Sequence, residues 1–352
     1  MKYSIVIVTY NGKEYIDRCL KSIISSNIKD YEMVVIDNGS TDGTVTFLNK
    51  CYGIYPNFKL VELDKNYGPA YARNKGVAVA SGEYVGFLDN DTEVEANWAV
   101  EAGTYFDEHS DVGIIQCKLL LLKEPNKIDY VGEYLGQNGF LVQEAPAGTI
   151  DTGQFNTVHE ILAAKSAGMF IRKKAFEEAG GFDDDYFIYV EETDLGWRTR
   201  LLGYKAIYLP TSIVYHEFGT STLILGKAKN NYNAKFHGTK NYILTLSKNL
   251  SLKNIFLILT IHIVIWLGLA CFSFVKRDFN AGSWIFKGVY WNIRNFRNTL
   301  KKRKAVQDKR RITDDELFKV AMVRKPMSYF INKVIKKHKV GNAEGFVKTK
   351  EQ

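Results

Sequence analysis

The sequence predicts an α/β protein: a mostly parallel sheet of the Rossmann type with helices on both faces, followed by an apolar and basic helical region. Three observations predict it. Short β-rich runs alternate with stretches of helical spacing through the first third of the chain. Three of those runs end in polar or acidic clusters. Late in the chain, Ile255 to Val275 is a run of 21 residues without Asp, Glu, Lys or Arg. Alternating strands and helices argue a parallel sheet covered on both sides, and such sheets bind ligands beyond the carboxyl ends of their strands.

Each element has its own signal. Tyr3–Thr9 is a compact run of β formers, too short for the apolar region of a secretory leader and followed by no cleavage site. It reads as the first strand. Positions 14–24 place Tyr15, Cys19, Leu20 and Ile23 at helical spacing. Positions 31–36 form the second strand, ending in Asp37-Asn38-Gly39-Ser40-Thr41-Asp42-Gly43, dense in turn and cap residues. A third strand is expected over 58–63, then a helix over 69–80 with Pro69 in its first turn. A fourth strand over 84–88 runs into Asp89-Asn90-Asp91, before a helix over 97–109 and a strand over 112–115. Positions 118–164 hold Gly132, Gly136, Gly139, Gly148 and Gly153 with weak patterning, and read as an irregular insertion of the kind that carries substrate loops. Regularity returns at 167–171, a helix over 173–179 and the turn Gly180-Gly181-Phe182-Asp183.

A chain of 352 residues with 46% hydrophobic and 24% charged residues suits a folded enzyme, with room for a core domain and an appendage. Cys19, Cys51, Cys117 and Cys271 have no paired spacing, which supports neither a zinc knuckle nor a disulfide framework and fits a reducing compartment. The net charge of +8 is uneven. From Lys276 onward there are 21 basic and 7 acidic residues, against 26 and 32 before it. The 255–275 run is long enough to cross a bilayer, a buried core helix being the alternative. Lysines precede it and the basic tail follows it, so positive charge on both flanks frustrates a single span. A hairpin returning through 281–293, or a helix lying in the interface, resolves the conflict. Anionic lipid rather than nucleic acid is then the expected partner of the tail. The expected location is the cell membrane, with the catalytic part facing the cytoplasm.

Two acidic clusters carry the chemistry. Asp89 and Asp91, separated by one residue after a buried strand, suit a divalent cation shared with phosphate oxygens, although acids also end strands at solvent. Glu191-Glu192-Thr193-Asp194 opens a helix on which Asp194 and Arg198 are four apart and so placed to pair. An ordinary acidic helix start reads the same way. Asp42 equally suits a helix N-cap.

In chain order, Ser4-Ile5-Val6-Ile7-Val8-Thr9-Tyr10-Asn11, the 34–44 turn, Asn66-Tyr67-Gly68-Pro69-Ala70, Ala72-Arg73-Asn74-Lys75-Gly76, Asp89-Asn90-Asp91 and Glu191-Glu192-Thr193-Asp194-Leu195-Gly196-Trp197-Arg198 resemble the motifs of family 2 glycosyltransferases. The resemblance covers roughly 3–220 and extends to rhamnosyltransferase-like enzymes of cell-surface glycans. It implies a GT-A fold and inverting transfer of a single sugar from a nucleotide diphosphate sugar to a lipid-linked or membrane-proximal hydroxyl, with Mg or Mn. It places Thr9, Tyr10, Asn11, Asp37, Asp42, Asn66, Gly68 and Asn90 at the donor, with Arg73 near the diphosphate or paired with Asp89. Asp91 and Asp89 would hold the metal, and His216, whose other reading is a structural histidine after a strand, would contact the metal or the diphosphate. Glu192 is the implied general base, with Glu191 or Asp194 as alternatives, because the family usually has Asp where this chain has Glu192. The signature of processive synthases, Gln-any-any-Arg-Trp, is absent.

The expected division is a catalytic domain over 1–225, with a nucleotide-sugar half to about 115 and an acceptor half after it, and a membrane-associating region over 226–352. Two rivals have different chemistry. A sugar-phosphate nucleotidyltransferase wants a glycine-rich basic loop after the first strand, which Thr9-Tyr10-Asn11-Gly12 does not supply. A nucleotide-sugar-binding membrane scaffold would have no need of the acidic set.

Overall fold

A computed structural model describes residues 1–217, 231–326 and 328–330. The expected boundary at 225 and the end of the basic tail lie outside the described residues. The chain begins β1 (Tyr3–Thr9), α1 (Lys13–Ser25), β2 (Tyr31–Asp37), α2 (Thr44–Tyr52), β3 (Phe58–Glu62), α3 (Pro69–Val79), β4 (Tyr84–Asp89), β5 (Thr92–Val94) and α4 (Trp98–Glu108). It continues through β6 (Val112–Leu121), β7 (Glu124–Tyr130), β8 (Glu133–Gly136), β9 (Leu141–Gln143), β10 (Thr149–Ile150), β11 (His159–Glu160), β12 (Met169–Arg172), α5 (Lys173–Ala179), α6 (Glu191–Leu201) and β13 (Lys205–His216).

The sheet order is β10-β7-β6-β12-β4-β1-β2-β3, with β13 beside β6. Strands β3, β2, β1 and β4 are mutually parallel, and so are β6 and β13. Strands β12, β7 and β10 run antiparallel to their neighbours, so the sheet is mixed around a parallel centre. Alternation along the central strands sorts the helices. Ile5, Ile7, Met33 and Val35 face the packing side of α1 and α4 through Cys19, Leu20, Trp98 and Phe106. Val6, Val34 and Ile36 face Ala72, Ala175 and Leu195 of α3, α5 and α6. Central strands buried on both faces read as unbroken apolar runs, which is why positions 5–7 and 33–36 carry no polar residue.

The expectation of an irregular insertion at 118–164 is corrected. β6 runs on to Leu121, and β7 to β11 lie within the stretch, joined by irregular connections. The glycines that weakened its pattern sit at turns between short strands: Gly132, Gly139, Gly148 and Gly153 all have positive φ. Short strands with such turns give too few alternations for periodicity to register.

Beyond the undescribed segment come α7 (Gly238–Asn249), α8 (Leu252–Val275), α9 (Phe279–Arg294), α10 (Phe296–Asp308) and α11 (Asp314–Ala321). The last opens with a capping box between Thr313 and Glu316. A final strand, β14 (Met322–Val323), pairs with β8. The helical part shares a core with the sheet part: Leu162, Ala163, Trp197 and Leu201 pack with Leu246, Leu250, Ile258, Leu317 and Ala321. Several basic residues of the region are spent inside the protein. Lys302 pairs with Asp183 and Asp185, and Lys248 with Asp183 and Asp194.

Candidate active site

The parallel register gathers the strand ends. Thr9 lies opposite Asp37 and Val8 opposite Asp89, so the three polar clusters meet at one edge of the sheet. On the far side, β13 runs parallel to β6 and antiparallel to β5, which brings His216 opposite Thr92 and so beside Asp91. Asp89, Asp91 and His216 present ligand atoms within 4.8 Å of one another. The Nε2 of His216 is 3.5 Å from Asp91 Oδ1, and its Nδ1 is 2.8 Å from Asp129 Oδ2. A carboxylate behind the imidazole orients the ring and leaves Nε2 for a cation. Burial opposes charge on this ring, but the hydrogen bonds to Asp129 and Asp91 outweigh it and raise its pKa to about 10. A divalent ion held at Nε2 would take the place of that proton, and two carboxylates with one imidazole are a donor set that fits Mg or Mn.

Arg73 joins this cluster to the second one. Buried on α3, it donates from Nη1 to Glu191 Oε1 at 2.9 Å and from Nη2 to Asp89 Oδ1 at 3.2 Å, with Glu192 Oε1 at 3.8 Å. Its pairing with Asp89, one of the two expectations for it, is what the structure contains. Helix α6 is buried at every position except Glu192, whose side chain is 20% exposed. Glu192 Oε1 accepts from the backbone N–H of Ser166 at 2.7 Å and from the Ser166 hydroxyl. Glu191 is buried, and burial with the adjoining Glu192 charge raises its pKa to about 7 against the pull of Arg73. Asp194 does not join them. It is fully buried, accepts from Arg198 at 2.8 Å, Lys248 at 2.9 Å and Asn249 at 3.0 Å, and braces α6 against α7. Three buried donors occupy the oxygens of this expected alternative base.

On the donor side, Asp37 is buried, with Oδ2 accepting from the Ser40 N–H at 2.9 Å and Oδ1 left without a protein partner. Asn90 donates to Thr9 Oγ1 at 2.9 Å, and Asn11 accepts from the Thr41 N–H at 2.8 Å. Asn66 accepts from the Gly68 N–H at 2.9 Å and from Asn38 at 3.2 Å, shaping the entry to α3. Tyr10 is half-buried at the rim. Asp42 is exposed and accepts from the N–H groups of Thr44 and Lys13, which makes it a cap on the first turns of α2 and α1. Of its two readings, the cap accounts for the bonds it makes.

Four residues went unsuspected in the sequence. Asp129, Glu133, Lys165 and Ser166 sit in or next to the stretch read as irregular. Glu133 is buried and accepts from the Thr193 hydroxyl at 2.5 Å, and Lys165 lies 4.2 Å from the centre of the Tyr130 ring. An acid set between two large apolar or aromatic residues, Ile128-Asp129-Tyr130, was the available signal for Asp129.

With this geometry in view, the relatives of the chain are informative. The model of "Glycosyl transferase family 2" matches residues 4–180. Poly(ribitol-phosphate) β-N-acetylglucosaminyltransferase TarS of Staphylococcus aureus (strain Mu50) is 36% identical over 122 residues, 34% of this chain and only 21% of that protein. Glycosyltransferase AglE of Haloferax volcanii is 26% identical over 199 residues, 56% of this chain and 60% of AglE. Among solved structures, the mannosyltransferase PcManGT of Pyrobaculum calidifontis, solved with GDP-Man and Mn2+, aligns over 88% of this chain and 85% of its own with a TM-score of 0.55. At 16% identity that likeness concerns the fold alone, which is of the GT-A kind. With half of its length matched by the family model and the motif residues gathered at one sheet edge, the chain belongs to glycosyl transferase family 2.

Proposed function

We propose that this chain is an inverting glycosyltransferase that moves one sugar from a nucleotide diphosphate sugar to a hydroxyl of a membrane-proximal, cell-surface glycan. The observation that carries this reading is Arg73, whose guanidinium touches Asp89 of the metal-type cluster and Glu191 beside the exposed Glu192. One buried cation thus fixes the distance between the place for the donor diphosphate and the place for the acceptor proton.

Asp37 Oδ1, the unpartnered buried acceptor, is available to a ribose hydroxyl or base N–H. Asp89, Asp91 and His216 would hold the divalent ion, which neutralises charge on the departing nucleoside diphosphate. Glu192, held by Ser166, takes the proton of the acceptor hydroxyl as that oxygen bonds to the anomeric carbon. The bond from that carbon to the diphosphate breaks in the same step, which inverts the centre. Surface glycans as acceptors are supported by the name of TarS, which gives poly(ribitol-phosphate) as its substrate.

A membrane-facing position is proposed on the helices. Leu252–Val275 is long and apolar enough to cross a bilayer by length and composition, yet only 22% of its apolar window is buried in the protein. The buried stripe, His262, Trp266, Ala270 and Ser273, is fastened mid-helix to the catalytic part: His262 Nδ1 lies 3.0 Å from the carbonyl of Asn138. Phe256, Leu257, Val264 and Val275 of α8 and Phe279, Tyr290 and Ile293 of α9 are exposed. A helix pinned at its middle to a polar domain cannot place that middle at the bilayer centre without immersing the domain. The two helices are therefore read as a hairpin lying in the interface plane. The catalytic part would face the cytoplasm, which suits its free cysteines.

The test of the activity is nucleoside diphosphate release from a panel of nucleotide sugars, with Mn and with chelator. Release is expected to need the metal and to fall by about 10²-fold or more in Asp91→Ala. Release indifferent to chelator and to Asp91→Ala would sink the metal-assisted reading.

A further inference from the structure

The backbone entering α6 is strained. Phe187, Tyr189 and Val190 have φ of 61°, 69° and 67°. For residues other than glycine such conformations cost on the order of 1–3 kcal/mol each, and a β-branched residue there is a true outlier. They persist only where the surroundings over-determine them, and this segment ends at Glu191 and Glu192. Val190 also supplies the carbonyl that accepts from the Asp194 N–H at 2.9 Å, so its conformation sets the first turn of the helix.

The restraint comes from α7. Asn241, fully buried, donates from Nδ2 to the carbonyls of Tyr186 at 3.0 Å, Ile188 at 2.8 Å and Tyr189 at 2.7 Å. Two N–H bonds serve three carbonyls, so one is shared. The Thr245 hydroxyl lies 2.7 Å from the Tyr186 hydroxyl, and the His237 ring stacks on Phe187 with centroids 5.1 Å apart. From the other side the Phe187 carbonyl presses on Gly68, where a Cβ would stand 2.4 Å from that oxygen. The segment is clamped between α7 and the start of the donor-side helix α3.

We propose that Asn241 is a positioning residue for sugar transfer: by holding the 187–190 backbone in its strained form it sets the position of Glu192 beside Arg73 and Ser166. This rests on the reading of Glu192 as the base. The helical region is then part of the catalytic apparatus as well as its proposed membrane support.

The experiment compares the full-length protein with Asn241→Asp, which keeps the shape but replaces the donor by an acceptor. With saturating donor and acceptor, kcat is expected to fall by about ten- to a hundred-fold with donor KM within about two-fold. Amide hydrogen exchange at 187–191 should accelerate at the same time. Adding Val190→Gly, which adopts positive φ without penalty, should restore several-fold of the lost kcat, a response that a general packing role does not give. An unchanged kcat in Asn241→Asp, or a loss that Val190→Gly leaves untouched, overturns the proposal. If Asn241→Asp does not fold, Thr245→Ala, which removes the bond to Tyr186, should still lower kcat and quicken the same amides; no change in either overturns it. Failure of the wild-type protein to release nucleoside diphosphate would instead count against the glycosyltransferase reading, while the exchange measurement still decides whether the clamp exists.

Discussion

Glu191 and Glu192 are neighbours in the chain with different surroundings. Glu191 turns inward, 3% exposed, and gives an oxygen to Arg73; Glu192 is the one position of α6 that is not buried. A base must be within reach of the proton it takes, so the difference in exposure distinguishes the two where residue type does not. Asp194 is tied to three buried donors, and removing that carboxylate is expected to destabilise the fold. Glu192→Gln keeps the side chain's length and its contact with Ser166. It is expected to leave nucleotide-sugar affinity unchanged while transfer falls by about 10²–10⁴-fold, read by single-turnover product formation beside a donor titration. Transfer that survives in this variant would move the base to Glu191.

The strands of the sheet serve the site at one end and the fold at the other. At the carboxyl end of β2, Asp37 keeps one oxygen unpartnered. Near its amino end, Glu32 is 1% exposed and accepts from the Ser4 hydroxyl, the Ser81 N–H and the Ser81 hydroxyl at 2.6 to 2.7 Å, with Lys59 Nζ at 2.6 Å. Burial alone would raise this carboxyl, but Lys59 and the serines outweigh it and lower the pKa to about 2. A carboxylate whose folded pKa is depressed adds stability above its ordinary pKa and loses it as pH falls toward the folded value. Glu32→Gln should therefore cost roughly 1–3 kcal/mol at neutral pH. It should also flatten the decline of stability between about pH 5 and pH 2. Urea unfolding of both proteins at several pH values measures this. An equally steep acid decline in the variant would show that the term resides elsewhere. Such a tie links β1, β2, β3 and the connection from α3 to β4 at the amino ends of the strands, away from Asp37, Asp89 and Asp91, so its removal should spare the kinetics of folded enzyme.

For the whole molecule, the sheet and the helical region are one structure with a shared core and an ionic seam of Lys248, Lys302, Asp183, Asp185 and Asp194. The seam holds Asp183 well below the usual carboxylate range, because Lys248 and Lys302 overcome the penalty of burial. Basic residues that looked like a lipid-facing tail are in part internal, so the exposed apolar faces of α8 and α9 bear more of the proposed membrane contact. Phe256 and Val264 are 77% and 62% exposed. Phe256→Asp with Val264→Asp is expected to weaken flotation with phosphatidylglycerol-containing vesicles by about ten-fold or more, while nucleoside diphosphate release in solution persists. Flotation equal to wild type would remove the in-plane reading.

The sequence by itself determined the parallel centre of the sheet, since apolar runs that end in polar turns suit few other arrangements, and it put Thr9, Asp37, Asp89 and Asp91 at strand ends. The strands β8 to β11 within 118–164 were not legible, because two to four residues apiece carry too little periodicity. Only the tertiary structure shows which acid is buried and which partner each one meets. Arg73 meets Glu191 across 118 residues of chain and His216 meets Asp129 across 87, contacts set by helix packing and by the register of β13. Spacing along a chain tells which side chains share a face. Which of them is buried beside a cation, and which is left open to a substrate, depends on surfaces brought together from distant segments, and that separates Glu192 from Glu191 and Asp194.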